Sequence, residues 1–277
     1  MRRAKRTLAI LALTTSTLVS CTGTITPASP PATTVEALRL YTTTATRPLT
    51  NSLAAAFNES GFTSSIDSRN GNYLTILGQV ERGEAPYFIT NHLPANSPLW
   101  TAPIGQDAIT IIAHPDMQLD NLTLDQLREI YQGRITSWET LGGDAQNITV
   151  FSREEGSATR YEFERLLMGN STTIASARIA ASTQSMIDSI IRTPGAIGYV
   201  SMGFLNATDQ SNLVHVFALA GTIPTIETTI ANLYPLRSSI FVVGMSEPQG
   251  IYRQFIAWMQ SPAGQAIMST YYAPLSP

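Results

Sequence analysis

Lysine occurs once in the 277 residues, as Lys5, and cysteine once, as Cys21. With no lysine beyond the first few residues, a G-x-x-x-x-G-K-[ST] phosphate loop has no lysine to use. One cysteine excludes an internal disulfide and any CxxC metal site. Charge is scarce too: 13% of residues are charged, against about 25% in an ordinary soluble chain. Net charge is only -3, so there is no basic surplus to bind nucleic acid. The three histidines, His92, His114 and His215, lack H-x-x-x-H spacing, and no G-x-S-x-G elbow is present. No metal, no cofactor and no catalytic set is expected. The hydrophobic share is normal at 43%, which separates the chain from disordered ones, and the length suits about two domains.

Long apolar runs are missing as well. Arg2, Arg3, Lys5 and Arg6 precede a short apolar stretch, Leu8 to Leu13 with Leu18 and Val19. This reads as a signal peptide over 1–20, too short and hydroxyl-rich for a membrane span. Leu18-Val19-Ser20-Cys21 resembles the bacterial lipoprotein box, which implies that Cys21 is lipidated and begins the mature chain. The alternative is an ordinary signal peptide with an incidental cysteine. Proline, threonine and alanine dominate the next segment, so 21–36 reads as a tether behind the anchor. A body held by lipid on the extracytoplasmic side of the cell-envelope membrane is expected.

Beyond the tether, strand-like and helix-like runs alternate, which argues for an α/β fold. Leu38 to Tyr41 reads as a strand, followed by the hydroxyl loop Thr42 to Thr46. Pro48 opens a helix whose apolar positions are Leu49, Leu53 and Phe57, and Gly61 ends it. Ala108 to Ala113 is a continuous apolar strand. Thr123 and Gln126 fit a capping box, with Leu122 and Leu127 as its hydrophobic staple. Strands are also expected at Ile148 to Phe151, Ala196 to Val200 and Ile240 to Val243, and helices from about Thr159 to Met168 and around Ile251, Phe255, Trp258 and Met259.

The segment with the most chemistry is Ser152-Arg153-Glu154-Glu155-Gly156-Ser157-Ala158-Thr159-Arg160, between a strand and a helix. A helix N-terminus offers free N–H groups and partial positive charge, and small residues let an anion approach them. Arg153 adds a fork suited to an oxyanion, and Ser157 and Thr159 add hydroxyls. The plainer reading is also open: Thr159 with Glu162 fits a capping box, and Arg153 with Glu155 fits a surface pair. Thr42 to Thr46 repeats the strand, hydroxyl loop and helix start. Two such termini in separate halves point to one ligand held between two lobes.

Several motifs occur in one order along about residues 38 to 275: Asp107 to Pro115, Asn121 to Tyr131, Gly133 to Trp138, Ser152 to Arg160, Gly195 to Val200, Tyr234-Pro235-Leu236 and Ser261 to Gln265. The ordered set resembles the phosphate-binding proteins of phosphate ABC transporters. The resemblance implies a type II periplasmic-binding-protein fold, two α/β lobes joined by hinge strands, with lobe 1 at 37–119 plus 231–277 and lobe 2 at 120–230. It implies second-lobe ligand contacts from Arg153, Ser157, Ala158 and Thr159, with Glu155 holding Arg153, and a first-lobe contact from Thr44. Asn70 stands where the family has a serine, and His92 where phosphate binders often place a carboxylate. Implied partners are inorganic phosphate or a similar oxyanion and an ABC permease, with the protein a monomer and not an enzyme. The alternatives are another oxyanion such as sulfate, or a degenerate binding fold acting as a sensor or envelope interaction protein.

Overall fold

A computed structural model describes residues 37–62 and 64–275; the signal peptide, Cys21 and the tether lie outside the described residues. The described elements all belong to one contact unit, Val35–Pro277. In chain order they are β1 (Ala37–Thr43), α1 (Arg47–Glu59), β2 (Ser65–Gly71), α2 (Tyr73–Glu81), β3 (Tyr87–Thr90), β4 (Trp100–Ala113), β5 (Asn121–Leu122) and α3 (Leu124–Tyr131). Next come β6 (Thr149–Arg153), α4 (Ala158–Phe163), β7 (Arg178–Ala180), α5 (Thr183–Arg192), β8 (Ala196–Ser201) and α6 (Met202–Ala207). The chain closes with β9 (His215–Val216), β10 (Ala218–Leu219), α7 (Ile226–Ile230), β11 (Arg237–Gly244), α8 (Gly250–Gln260), α9 (Pro262–Met268) and β12 (Ala273–Pro274).

Local rules explain most of these. In α1, Leu49, Leu53 and Phe57 are buried at the expected spacing, and Pro48 lies in the first turn. Both hydrogen bonds of the Thr123–Gln126 capping box form, and Leu122 and Leu127 are buried together. Strand β4 is longer than the apolar run at Ala108 and starts at Trp100. Pro103 and Gly105 break the strand pattern in its first half, yet β11 pairs along that half from Gly244–Trp100 to Arg237–Ala108, with a register shift at Ile240/Phe241.

The main sheet runs β2-β1-β3-β11-β4-β8-β6-β7. Strand β4 links its two halves. It pairs with β11 up to Ala108 and with β8 from Ile109 onward. One lobe therefore holds β1, β2, β3 and β11, the other β6, β7 and β8. The outward crossing falls inside β4, before residue 119, and the return falls just before Arg237, after residue 230. Cores lie on both sides: Leu53, Phe57, Ile104, Val242 and Phe255 in the first lobe, and Leu127, Tyr131, Phe163 and Tyr199 in the second. The parallel pairs β1/β2, β1/β3, β6/β7 and β6/β8 point the loops after β1 and β6 at the gap between the lobes.

Asp107 stands at the crossing point, buried. It accepts from Ser201 Oγ and from the N–H groups of Gly203 and Ala108, the last two at 3.0 and 2.9 Å. Burial pushes its carboxyl up to about 6, against the pull of those hydrogen bonds. The unfolded group titrates near 3.8, so the folded chain holds the proton more tightly. The resulting stabilisation is present below about pH 4 and lost as pH rises through about 6. Denaturant melts of the wild type against Asp107→Asn should show the wild-type advantage shrinking by about 1–3 kcal/mol between pH 4 and pH 7. A pH-independent difference would refute this.

Candidate functional site

Strand β6 ends at Arg153 and the chain turns at once. The Ser157 N–H donates to the Glu154 carbonyl at 3.2 Å, with Gly156 at φ +78° in the third turn position. A Cβ on Gly156 would stand 2.5 Å from Asn72 Oδ1 of the other lobe, so both the dihedral and the close approach require glycine. Ser157 caps α4 by accepting from the Arg160 N–H at 3.3 Å. The Thr159–Glu162 capping box does not form, because Thr159 already lies in the first helical turn and Glu162 reaches toward the other lobe. A π-helical segment, Glu164–Met168, prolongs α4, so the helix covers the expected span to Met168.

The Arg153 side chain is 1% exposed. Its Nε and Nη2 fork onto the Glu154 carboxylate at 2.8 and 3.0 Å, and Nε also donates to the Ala180 carbonyl at 3.2 Å. Toward the cleft, Nη1 donates to Thr183 Oγ1 at 3.2 Å and Nη2 to Thr44 Oγ1 at 3.1 Å. Those two hydroxyls, one from each lobe, are 3.2 Å apart. The carboxylate paired with Arg153 is thus Glu154, where Glu155 was expected. Strand alternation would have put Glu155 on the Arg153 face, but the strand stops at Arg153 and the turn carries Glu155 outward. Glu155 is exposed, and its carbonyl accepts from Asn72 Nδ2 at 3.0 Å. Asn72 also donates to Glu154 Oε1 at 3.2 Å, so it ties the first lobe to both residues.

Tyr199 steadies this end of β6. Its hydroxyl receives the Arg153 N–H at 3.2 Å and pairs with Ser152 Oγ at 3.0 Å, and burial pushes its pKa up to about 12. The group stays a neutral donor and acceptor at any physiological pH. Ser157, Ala158 and Thr159, at the start of α4, are buried.

The first-lobe residues divide. Most of the threonine loop is structural: Thr42 pairs with Thr46 at 2.9 Å, Thr43 with Thr46 at 3.0 Å, and Thr50 donates to Thr42 at 2.8 Å. Only Thr44 of that loop crosses to Arg153. Asn70, exposed on β2, lines a cavity of about 40 Å³ at the mouth with Thr44, Arg47, Ser182, Gln184 and Phe204. His92 is buried, and its Nδ1 meets Glu162 Oε1 at 2.8 Å. The second turn of α4 brings Glu162 to His92, the residue that stands where phosphate binders often place a carboxylate.

Glu154, Asn72, Thr183 and Arg47 belong to the site without having been singled out from sequence. For Thr183 a signal was present. Strand β7, then Ser182-Thr183, then α5 repeats the strand, hydroxyl and helix-start pattern a third time. Arg47, whose guanidinium lies 5.6 Å from the Phe204 ring centroid across the lobes, had none.

Comparison with known proteins agrees with this geometry. The PBP superfamily domain matches residues 84–263. The phosphate-binding protein PstS of Bacillus subtilis is 26% identical over 238 residues, 81% of this chain and 75% of that one. The phosphate-binding protein PstS of Borreliella burgdorferi is 26% identical over 170 residues, 58% of this chain and 61% of that one, so under two thirds of that relative is matched. Among solved structures, a phosphate ABC transporter substrate-binding protein with bound phosphate from Clostridium perfringens superposes with a TM-score of 0.80 at 22% identity, covering 87% of this chain and all of that one. An ABC-type phosphate transport receptor from Vibrio cholerae gives 0.70 at 23% identity, over 86% of this chain and all of that one. These likenesses establish the type II periplasmic-binding-protein fold.

The ion pair makes a sharp prediction. Glu154→Ala leaves a buried guanidinium without its fork and should lower unfolding free energy by about 2 kcal/mol or more. Glu155→Ala, on the surface, should stay within about 0.5 kcal/mol of wild type. Denaturant titration of both variants decides it, and the reverse order would assign the pair to Glu155.

Proposed function

The chain belongs to the PBP superfamily, and from that premise we propose that it is an extracytoplasmic solute-binding protein that captures a small oxyanion, inorganic phosphate first, for an ABC importer. It binds and releases rather than catalyses, works as a monomer, and is held at the membrane through Cys21. Among the described residues no helix is long and apolar enough to cross a membrane. The observation that carries the reading is the buried Arg153 guanidinium beside the start of α4, facing hydroxyls from both lobes. A cation, a helix N-terminus and converging hydroxyl groups in a closed, low-dielectric cleft suit a compact anion.

In this reading Arg153, Ser157, the Ala158 N–H and Thr159 bind the anion from the second lobe and Thr44 from the first. Asn70 borders the mouth. The near carboxylate, Glu154, is already taken by Arg153 and Asn72. Hydroxyl oxygens are therefore the acceptors for the proton of HPO4(2-), and they tolerate sulfate better than a carboxylate would. The second reading, a degenerate cleft, has one observation in its favour: Thr44 and Thr183 already take one N–H from each Nη group.

Isothermal titration of the chain from Val35, first stripped of anion, tests this. Phosphate should bind, sulfate should bind within about 100-fold of it, and Arg153→Ala should lose phosphate affinity by about 100-fold or more. A folded wild type that binds neither anion favours the degenerate reading.

A further inference from the structure

His92 and Glu162 belong to different lobes. His92 follows β3, and Glu162 lies within α4. Their contact, Nδ1 to Oε1, is 2.8 Å, and both residues are buried. The imidazole lies in an aromatic slot. It stacks on Tyr161 of α4 with centroids 4.9 Å apart, and meets Tyr73 of α2 edge-on at 5.0 Å. Thr90 braces the backbone of the loop: its Oγ1 accepts the His92 N–H at 3.1 Å and donates to the His92 carbonyl at 3.2 Å. Behind Glu162, Arg165 donates Nε to Oε2 at 3.1 Å. The groups facing His92 from the elements packed on it are therefore Glu162, Tyr161 and Tyr73, with Arg165 beyond. Burial keeps both tyrosines protonated, Tyr73 pushed up to about 12.

Parting the lobes separates the two partners. Glu162 would keep Arg165, on its own helix, and lose the histidine. The bond thus exists only in the closed arrangement, so its free energy favours closure. The helix makes the coupling direct. Glu162 follows Ala158 by four residues, about 6 Å along α4, so drawing Glu162 to His92 presses the helix N-terminus against the first lobe. Apparent affinity scales with the closed fraction, so a contact of this kind alters binding without touching the ligand.

We propose that His92 and Glu162 form an interlobe latch, a positioning pair made on closure that sets oxyanion affinity through the closed state. Its effect on affinity rests on the cleft reading above, whereas its mechanics do not. Sequence placed His92 at the ligand; the geometry assigns it to holding the lobes together.

Three measurements test the latch. In phosphate titrations, Glu162→Gln and His92→Gln should each weaken binding about tenfold. The double variant should be no weaker than the worse single one, because the two act as a unit. In spectra of the three histidine rings, Glu162→Gln should shift His92 and leave His114 and His215 in place, with no anion present. Finally, the chain from Val35 has no native cysteine, so spin labels at Asp67→Cys and Ile179→Cys, on β2 and β7, report the lobe separation alone. Glu162→Gln should lengthen that distance without any anion present. A longer distance in a protein that binds no phosphate keeps the latch and removes the ligand assignment. An unchanged distance overturns the latch whatever phosphate does.

Discussion

A guanidinium taken almost wholly out of water needs a partner for each of its faces, and the rest of this structure is arranged around that need. Arg153 rests on Glu154 on one side and meets hydroxyls on the other, one from each lobe. Leaving such a charge uncompensated would cost several kcal/mol. The end of β6, the turn at Gly156, the Tyr199 hydroxyl and the β7 carbonyl of Ala180 all fall into place as its supports. The same charge is what the proposed anion would meet in the cleft.

Three sets of polar contacts join the lobes. At the centre, Arg153 reaches Thr44. On one side, Asn72 ties Glu154 and the Glu155 carbonyl, and the Leu74 N–H reaches the Gly156 carbonyl at 3.3 Å. On the other, His92 meets Glu162. These bonds are directional and polar, and ring contacts lie beside them: Tyr161 packs on His92 and Tyr73, and Arg47 lies over Phe204. The lobes' own cores are apolar and continuous, so each lobe is built to stay intact while the polar contacts change. Strand β4, shared by both half-sheets and anchored at Asp107, and the return segment before Arg237, bonded to it at Ile109–Leu236, are the links that any such motion bends.

Much of the fold was legible because it rests on local rules. The capping box at Thr123, the spacing of Leu49, Leu53 and Phe57, and the apolar run at Ala108 act within a few residues. The hydroxyl loop before α1 was visible for the same reason. The Arg153 partner was not. Glu154 and Glu155 are adjacent, and which one faces the guanidinium depends on where the strand stops and how the chain turns at Gly156. His92 was harder still, since its partner lies 70 positions away on another lobe.

The sequence by itself determined the α/β alternation, the position of the anion-type segment and the order of its motifs, because periodicity, caps and residue chemistry are written locally. Only the tertiary structure decided which carboxylate neutralises Arg153, that Thr44 alone of its loop reaches Arg153, and that His92 pairs with Glu162. Those outcomes depend on how two lobes approach each other, and the distance between residues in space is not encoded by their spacing along the chain.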